Sequence, residues 1–185
     1  MTSTAVPRTG LPWSWGVTEL ERRARYPCAE LVAEPAARMV RGIDVAAPAA
    51  IVYRWLCQLT LAPYSYDLLD NGGRRSPRAL TPGVERLQVG APLLKIFQIA
   101  EFEPGRELTG VGAPGPTRRF GPMACTYRVL PTADGSSRLL GRLDITARRR
   151  TVTMLIAWGD LVMMRKQLRT LRRLAEHQHR RAAPT

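Results

Sequence analysis

From Thr153 to His177 the chain carries a helical repeat of apolar residues, Leu161, Met164, Leu168, Leu171 and Leu174, extending through roughly seven turns. Between Val152 and Met164 this helix is apolar on nearly every side, whereas its second half, RKQLRTLRRLAE, is ordinarily amphipathic. Such an element has to be covered on more than one face, so the rest of the chain is constrained to enclose it.

The available cover is strands. Arg38–Val45 alternates, with Met39, Ile43 and Val45 on one face and Arg41 interrupting it. Pro48 then opens a helix whose buried stripe is Val52, Trp55, Leu56 and Leu59, and Pro63 ends it. Further strands are expected at 93–102, 107–111, 123–130 and 138–147, separated by Pro104-Gly105, a Gly/Pro-rich loop and Ala133-Asp134-Gly135. In the last two, Met123, Cys125, Tyr127 and Val129 point one way with Leu139, Leu143 and Ile145, while Arg128, Arg142 and Asp144 point out.

The first 34 residues read as an arm broken by prolines, with one short helix at Glu19–Arg25 opened by a capping box from Thr18 to Glu21 and with Trp13 and Trp15 pinning it to the domain. Residues 35–176 form the single domain, and 177–185 a basic tail. The start has no apolar run of signal-peptide length, and the uncharged apolar stretch Val152 to Gly159 is far too short to cross a bilayer; a cytoplasmic location is expected.

The net charge of +13 raises nucleic acid as a partner. Against it, the cations are spread along the chain, are nearly all arginine, and do not alternate with stacking aromatics. The densest block, Arg169, Arg172, Arg173, Arg180 and Arg181, reads as a solvated helix face and tail. Cys28, Cys57 and Cys125 lack zinc spacing and read as small buried hydrophobes. His177 and His179 are the only histidines and fall on the tail, which removes Ser-His-Asp, Cys-His and histidine-rich metal chemistry. Gly110-Val-Gly-Ala-Pro-Gly115 spells a dinucleotide fingerprint, but Pro114 lies inside it and no helix is expected to follow. No cofactor and no metal is expected.

Three segments together resemble the START-like (SRPBCC) superfamily, which includes polyketide cyclases and aromatases. They are Ile43-Asp-Val-Ala-Ala-Pro-Ala-Ala-Ile-Val-Tyr-Arg-Trp-Leu, Phe102-Glu-Pro-Gly-Arg-Glu-Leu, and Thr126-Tyr-Arg-Val. The stretches Trp55-Leu-Cys-Gln-Leu, Ala62-Pro-Tyr-Ser-Tyr-Asp and Ala157-Trp-Gly-Asp-Leu-Val-Met-Met-Arg-Lys-Gln-Leu are similar to a bacterial subgroup of it without an assigned activity. The resemblance spans about residues 38 to 176. It implies an α+β helix-grip fold, a curved antiparallel β-sheet wrapped around a long C-terminal α-helix, with a cavity for a small hydrophobic molecule between them.

Within that frame Asp160 stands out, because Ile156, Ala157, Met163 and Met164 flank it on the helix. It reads either as a cavity acid or ligand anchor, or as the partner of an arginine from the Arg74-Arg75 loop or the arm. Trp158 packs in the core or offers a ligand platform. The connection Tyr64-Ser-Tyr-Asp67 falls where helix-grip proteins roof their cavity, so Tyr64, Tyr66, Asp67 and, close by, Asp70 are candidates for holding a ligand, or else form a capped turn with core rings. Arg74, Arg75 and Arg78 meet a ligand anion or salt-bridge Asp67 or Asp70; Arg41 is a weaker candidate for the same role. Asp160, Tyr66 and Asp67 are the candidate catalytic groups; Tyr64, Tyr66, Asp67, Arg75, Trp158 and Asp160 are the candidate ligand contacts. Three functions follow: hydrophobic-ligand binding, a cyclase, aromatase or dehydratase in the same cavity, and a protein or polyanion module using the arginine-rich helix. Bulky Trp55, Phe97, Tyr127 and Trp158 decide whether the cavity is open or filled.

Overall fold

The computed structural model describes residues 8–146 and 149–182, with the side chains of Leu69 and Asp70 left aside. In chain order the elements are β1 (Ser14–Trp15), α1 (Glu19–Arg23), α2 (Cys28–Leu31), β2 (Ala37–Val45), α3 (Ala49–Cys57), a 3-10 turn (Gln58–Thr60), α4 (Asp67–Asp70), β3 (Pro92–Leu93), β4 (Phe97–Glu103), β5 (Glu107–Gly112), α5 (Pro114–Phe120), β6 (Met123–Pro131), β7 (Ser137–Ile145) and α6 (Arg150–Ala182). One sheet contains all seven strands in the order β1-β2-β7-β6-β5-β4-β3. Every neighbouring pair is antiparallel except β1 with β2.

The alternation in β2, β6 and β7 works as the sequence predicts. Met39, Cys125, Tyr127, Leu139 and Ile145 join the main core with α3 and α6. Ala37 pairs with Ile145, which in turn pairs with Met123, so the inward sets of three strands stand in line. The opposite face is not left to water. Tyr26, Cys28 and Val32 of the arm bury Val40, Ala124 and Leu140 in a second apolar cluster. Arg142 and Asp144, which do point out of the main core, lie under this cover. They form a two-point ion pair at 2.8 and 2.7 Å, with Asp144 fully buried.

The arm is therefore structured beyond its one expected helix. The Thr18–Glu21 capping box is present at the start of α1, which ends at Arg23 rather than Arg25, and α2 and β1 follow the same path over the sheet. Trp13 is buried in the core, and Trp15 lies beneath the guanidinium groups of Arg165 and Arg169 at 5.2 and 5.6 Å. The three cysteines are free and buried.

Four sequence expectations need correction. The expected strand 93–102 is two, because Leu94 and Lys95 both adopt positive φ, at 53° and 67°, and turn the chain between β3 and β4. The Gly/Pro loop contains α5, so a helix does follow the Gly110–Gly115 motif. Pro114 sits in its first turn, and Gly121, with φ 91°, ends it. Its seven residues follow an antiparallel strand, so the motif still lacks the setting of a dinucleotide site. The last helix runs 33 residues, from Arg150 to Ala182. Most of what reads as a basic tail is thus its final turns, His177 and His179 among them. These turns are docked: Trp55 Nε1 donates to Gln178 Oε1 at 2.7 Å, and Ala46 N donates to Glu176 Oε1 at 3.0 Å. No helix among the described residues is long and apolar enough to cross a membrane.

Candidate functional site

The stripe that α6 turns inward is Ala157, Leu161, Met164, Leu168, Leu171 and Ala175, as the repeat predicts, with Leu174 packed beside it. Its C-terminal half lies against α3. Between its N-terminal half and the sheet lies a cavity of about 510 Å³. Ile156, Gly159, Asp160, Met163, Met164 and Gln167 line it from α6. Phe97, Met123, Cys125, Tyr127, Leu143 and Ile145 line it from β4, β6 and β7. Pro63, Ser65, Leu94, Lys95, Ile96 and Phe120 complete the wall, and the half-exposed Ile96 and Phe120 mark where it opens. A second hollow of about 270 Å³ beside Thr60 and the 81–88 loop is smaller and holds no carboxylate or phenol, which makes it the poorer candidate.

Besides Ser65 and Lys95, two polar features interrupt the apolar lining. The first is Asp160, whose side chain is 9% exposed and lies 2.8 Å from Nη2 of the fully buried Arg41. That distance is an ion pair's, yet no donor is aligned on Asp160 Oδ2 as a hydrogen bond would be. Burial pushes the Asp160 carboxyl up to about 6, with Arg41 opposing the rise. Arg41 is held in turn by carbonyl oxygens of the arm and its own strand: Nη1 donates to Trp13 O at 2.7 Å and Val40 O at 3.1 Å, and Nη2 to Pro12 O at 2.6 Å. The cation that meets Asp160 thus comes from β2, not from the Arg74-Arg75 loop or the arm. The arm contributes the carbonyls that hold it.

The second is a relay of side-chain hydrogen bonds. Tyr127 Oη donates to Gln167 Oε1 at 2.6 Å, and Gln167 Nε2 donates to Pro63 O. Gln167 stands two helical turns from Asp160 on the same side of α6. The sequence signal for this relay is a glutamine, Gln167, set on an otherwise apolar stripe.

Those tyrosines and their neighbours are elsewhere. Tyr64 is buried in the core, edge-on to Trp55 with ring centroids 6.2 Å apart, and its Oη accepts from Gln58 Nε2 at 2.9 Å. Tyr66 is 40% exposed, with Lys166 Nζ 6.0 Å from its ring centroid. Asp67 accepts from Ser76 N at 3.0 Å and from Ser76 Oγ, closing its own loop rather than pairing with an arginine. Arg74, Arg75 and Arg78 are exposed, and the Asp70 side chain lies outside the described residues. Trp158 is neither core nor cavity wall: it is 47% exposed on the outer side of α6 beside Leu155 and Val162. Of the aromatics that decide whether the interior is filled, Phe97 and Tyr127 line the cavity, Trp55 packs behind it and Trp158 stands outside.

No protein-family model matches the sequence, and none of the curated proteins compared with it does. Solved structures do resemble it. A Thermobifida fusca protein solved by NMR superposes with a TM-score of 0.53 at 14% identity, covering 77% of this chain and 95% of its own. A Nitrosospira multiformis protein scores 0.49 at 12% identity over 77% and 99% of the two chains. An Arabidopsis thaliana member of the major latex protein family scores 0.41 at 13% over 73% and 94%. The last two scores carry no weight, and at 14% identity the first speaks for the fold alone. With its curved, mainly antiparallel sheet closed over one long C-terminal helix, the chain has the α+β helix-grip fold that its resemblance to the START-like superfamily implied.

Proposed function

We propose that this chain binds one small, largely apolar molecule in the cavity between the sheet and the first half of α6. The observation that carries the reading is the cavity itself. About 510 Å³ of space, walled by methionine, isoleucine, leucine and phenylalanine and broken by few polar groups, has the size and chemistry of a small-molecule site. Affinity would come mainly from transfer of the ligand's apolar surface out of water. Asp160 and the Tyr127–Gln167 pair are the groups available to orient it. The test is uptake of a neutral solvatochromic dye such as Nile red by the full chain. Saturable one-to-one binding with a blue-shifted emission supports the proposal, and no binding of any apolar probe overturns it.

A second reading rests on Asp160. A cavity carboxyl pushed up to about 6 can give and take a proton near neutral pH, as a cyclase, aromatase or dehydratase acting in the same space would require. On this reading Asp160→Asn abolishes turnover while dye uptake persists. Equal loss of both returns Asp160 to a purely binding role.

A further inference from the structure

We infer that the protein docks on the surface of a bilayer containing anionic phospholipid, laying the mouth of the cavity and the outer ridge of α6 against it. Docking needs no ligand in the cavity, so this inference goes beyond the binding reading and stands or fails without it.

Both lips of the mouth carry apolar side chains that the fold leaves in water. Leu155, Trp158 and Val162 follow one another at three and four residues and make a ridge on α6. Gly159, an exposed part of the cavity wall, lies four residues from Leu155 and three from Val162, so the ridge borders the opening. Leu155 is 73% exposed and Val162 51%. On the sheet side, Ile96 and Phe120 are exposed where the cavity opens. Single apolar residues scattered over a surface need no explanation, but a group of them around one opening marks a contact surface.

The charges among them are of one sign. Lys95 adjoins Ile96, and Arg118 and Arg119 adjoin Phe120; all are exposed. Exposed Arg149 and Arg150 stand at the start of the helix that carries the ridge, and Lys166 lies one turn beyond Val162. Residues 86–100, 108–133 and 145–175 supply both lips and contain a single carboxylate between them, Asp160, which is engaged by Arg41. None of the six rim cations pairs with a carboxylate among the described residues.

The occupant has to answer both features. Nucleic acid answers the cations and leaves Leu155, Val162 and Ile96 in water. A second copy of the chain covers the apolar groups but sets the same cations against each other. A neutral bilayer leaves the cations unanswered. An anionic bilayer takes the aliphatic side chains and Trp158 into its interfacial layer and meets the arginines with phosphate head groups.

The test is co-sedimentation of the full chain with vesicles of phosphatidylcholine, with and without phosphatidylglycerol, at physiological salt. Binding is expected only to the mixed vesicles. Because a chain of net charge +13 adsorbs to anionic surfaces in any orientation, matched pairs of variants decide the face. Leu155→Ser with Val162→Ser, and Arg118→Gln with Arg119→Gln, are each expected to weaken binding about tenfold or more. Leu20→Ser with Leu31→Ser on the arm, and Arg180→Gln with Arg181→Gln at the end of α6, are expected to change it less than about twofold. All the substituted side chains are exposed, so the variants are expected to keep the fold. Equal losses from the mouth pairs and the remote pairs mean adsorption by charge alone and overturn the inference. So does a failure to bind mixed vesicles. A dimer in buffer that the Leu155 and Val162 pair dissolves, with no vesicle binding, assigns the face to a second copy and overturns it too.

Discussion

Arg41 on β2 and Asp160 on α6 meet at 2.8 Å, with side chains 0% and 9% exposed, and join the strand that anchors the arm to the helix that lines the cavity. The same guanidinium holds Pro12 O and Trp13 O, so arm, sheet and helix converge on one buried cation.

Removing that cation leaves a carboxylate buried without a partner. Arg41→Leu is expected to lower stability by roughly 3–5 kcal/mol in urea unfolding. Arg41→Leu combined with Asp160→Leu removes both charges and is expected to be less damaging than the first change alone. Strict additivity of the two single losses would contradict a direct coupling.

The raised Asp160 carboxyl makes stability depend on pH in a stated direction. Its folded value, about 6, lies above the ordinary 3.8, so between these the native protein binds a proton that the unfolded chain has lost. This contribution is complete below 3.8 and lost as pH rises through about 6. Asp160→Asn keeps the neutral form at every pH. Wild type should therefore lose stability relative to the variant as pH climbs through that window, measured by paired urea titrations. A difference that stays flat, or grows in wild type's favour, would refute the assignment.

How much of this could be read beforehand varied with the range of the interaction. Strands β6 and β7 were legible because the side-chain period of two is local and Cys125, Tyr127, Leu139 and Leu143 keep it without a break. The inward stripe of α6 was legible for the same reason at period 3.6. The turn at Leu94 and Lys95 was not, since neither is glycine or asparagine and only the surrounding structure holds them at positive φ. The final turns of α6 looked like a tail because charge dominates them, and their docking depends on Trp55 and Ala46, far away in sequence. Asp160 was singled out by its apolar neighbours. Its partner is not legible locally: in the sequence Arg41 interrupts the apolar face of a strand, and only that strand's place against α6 makes it half of a pair. Tyr64 and Asp67 drew attention by composition, whereas the fold spends them on the core and on a loop.

Gly159 offers a way to close the cavity without touching its polar groups. It lines the cavity from α6, and a Cβ built there meets nothing within 4 Å. Gly159→Leu should sharply reduce dye uptake while raising stability by up to about 1 kcal/mol through helix propensity. Undiminished uptake in a folded variant would mean that ligands bind elsewhere.

The outer face of the sheet should be separable from the site. Asp144→Ala strands the Arg142 guanidinium beneath the arm and is expected to cost roughly 3 kcal/mol or more in unfolding free energy, with dye affinity unchanged below the melting transition. A large loss of affinity in the still-folded variant would show that the two faces are coupled.

The most direct test of the central claim is native mass spectrometry of freshly purified protein beside a denatured sample. An open cavity that holds a small apolar molecule predicts a defined extra mass on the native protein, released on denaturation and absent from Gly159→Leu. A native mass equal to the chain alone, together with no uptake of added dodecan-1-ol or Nile red, would contradict it.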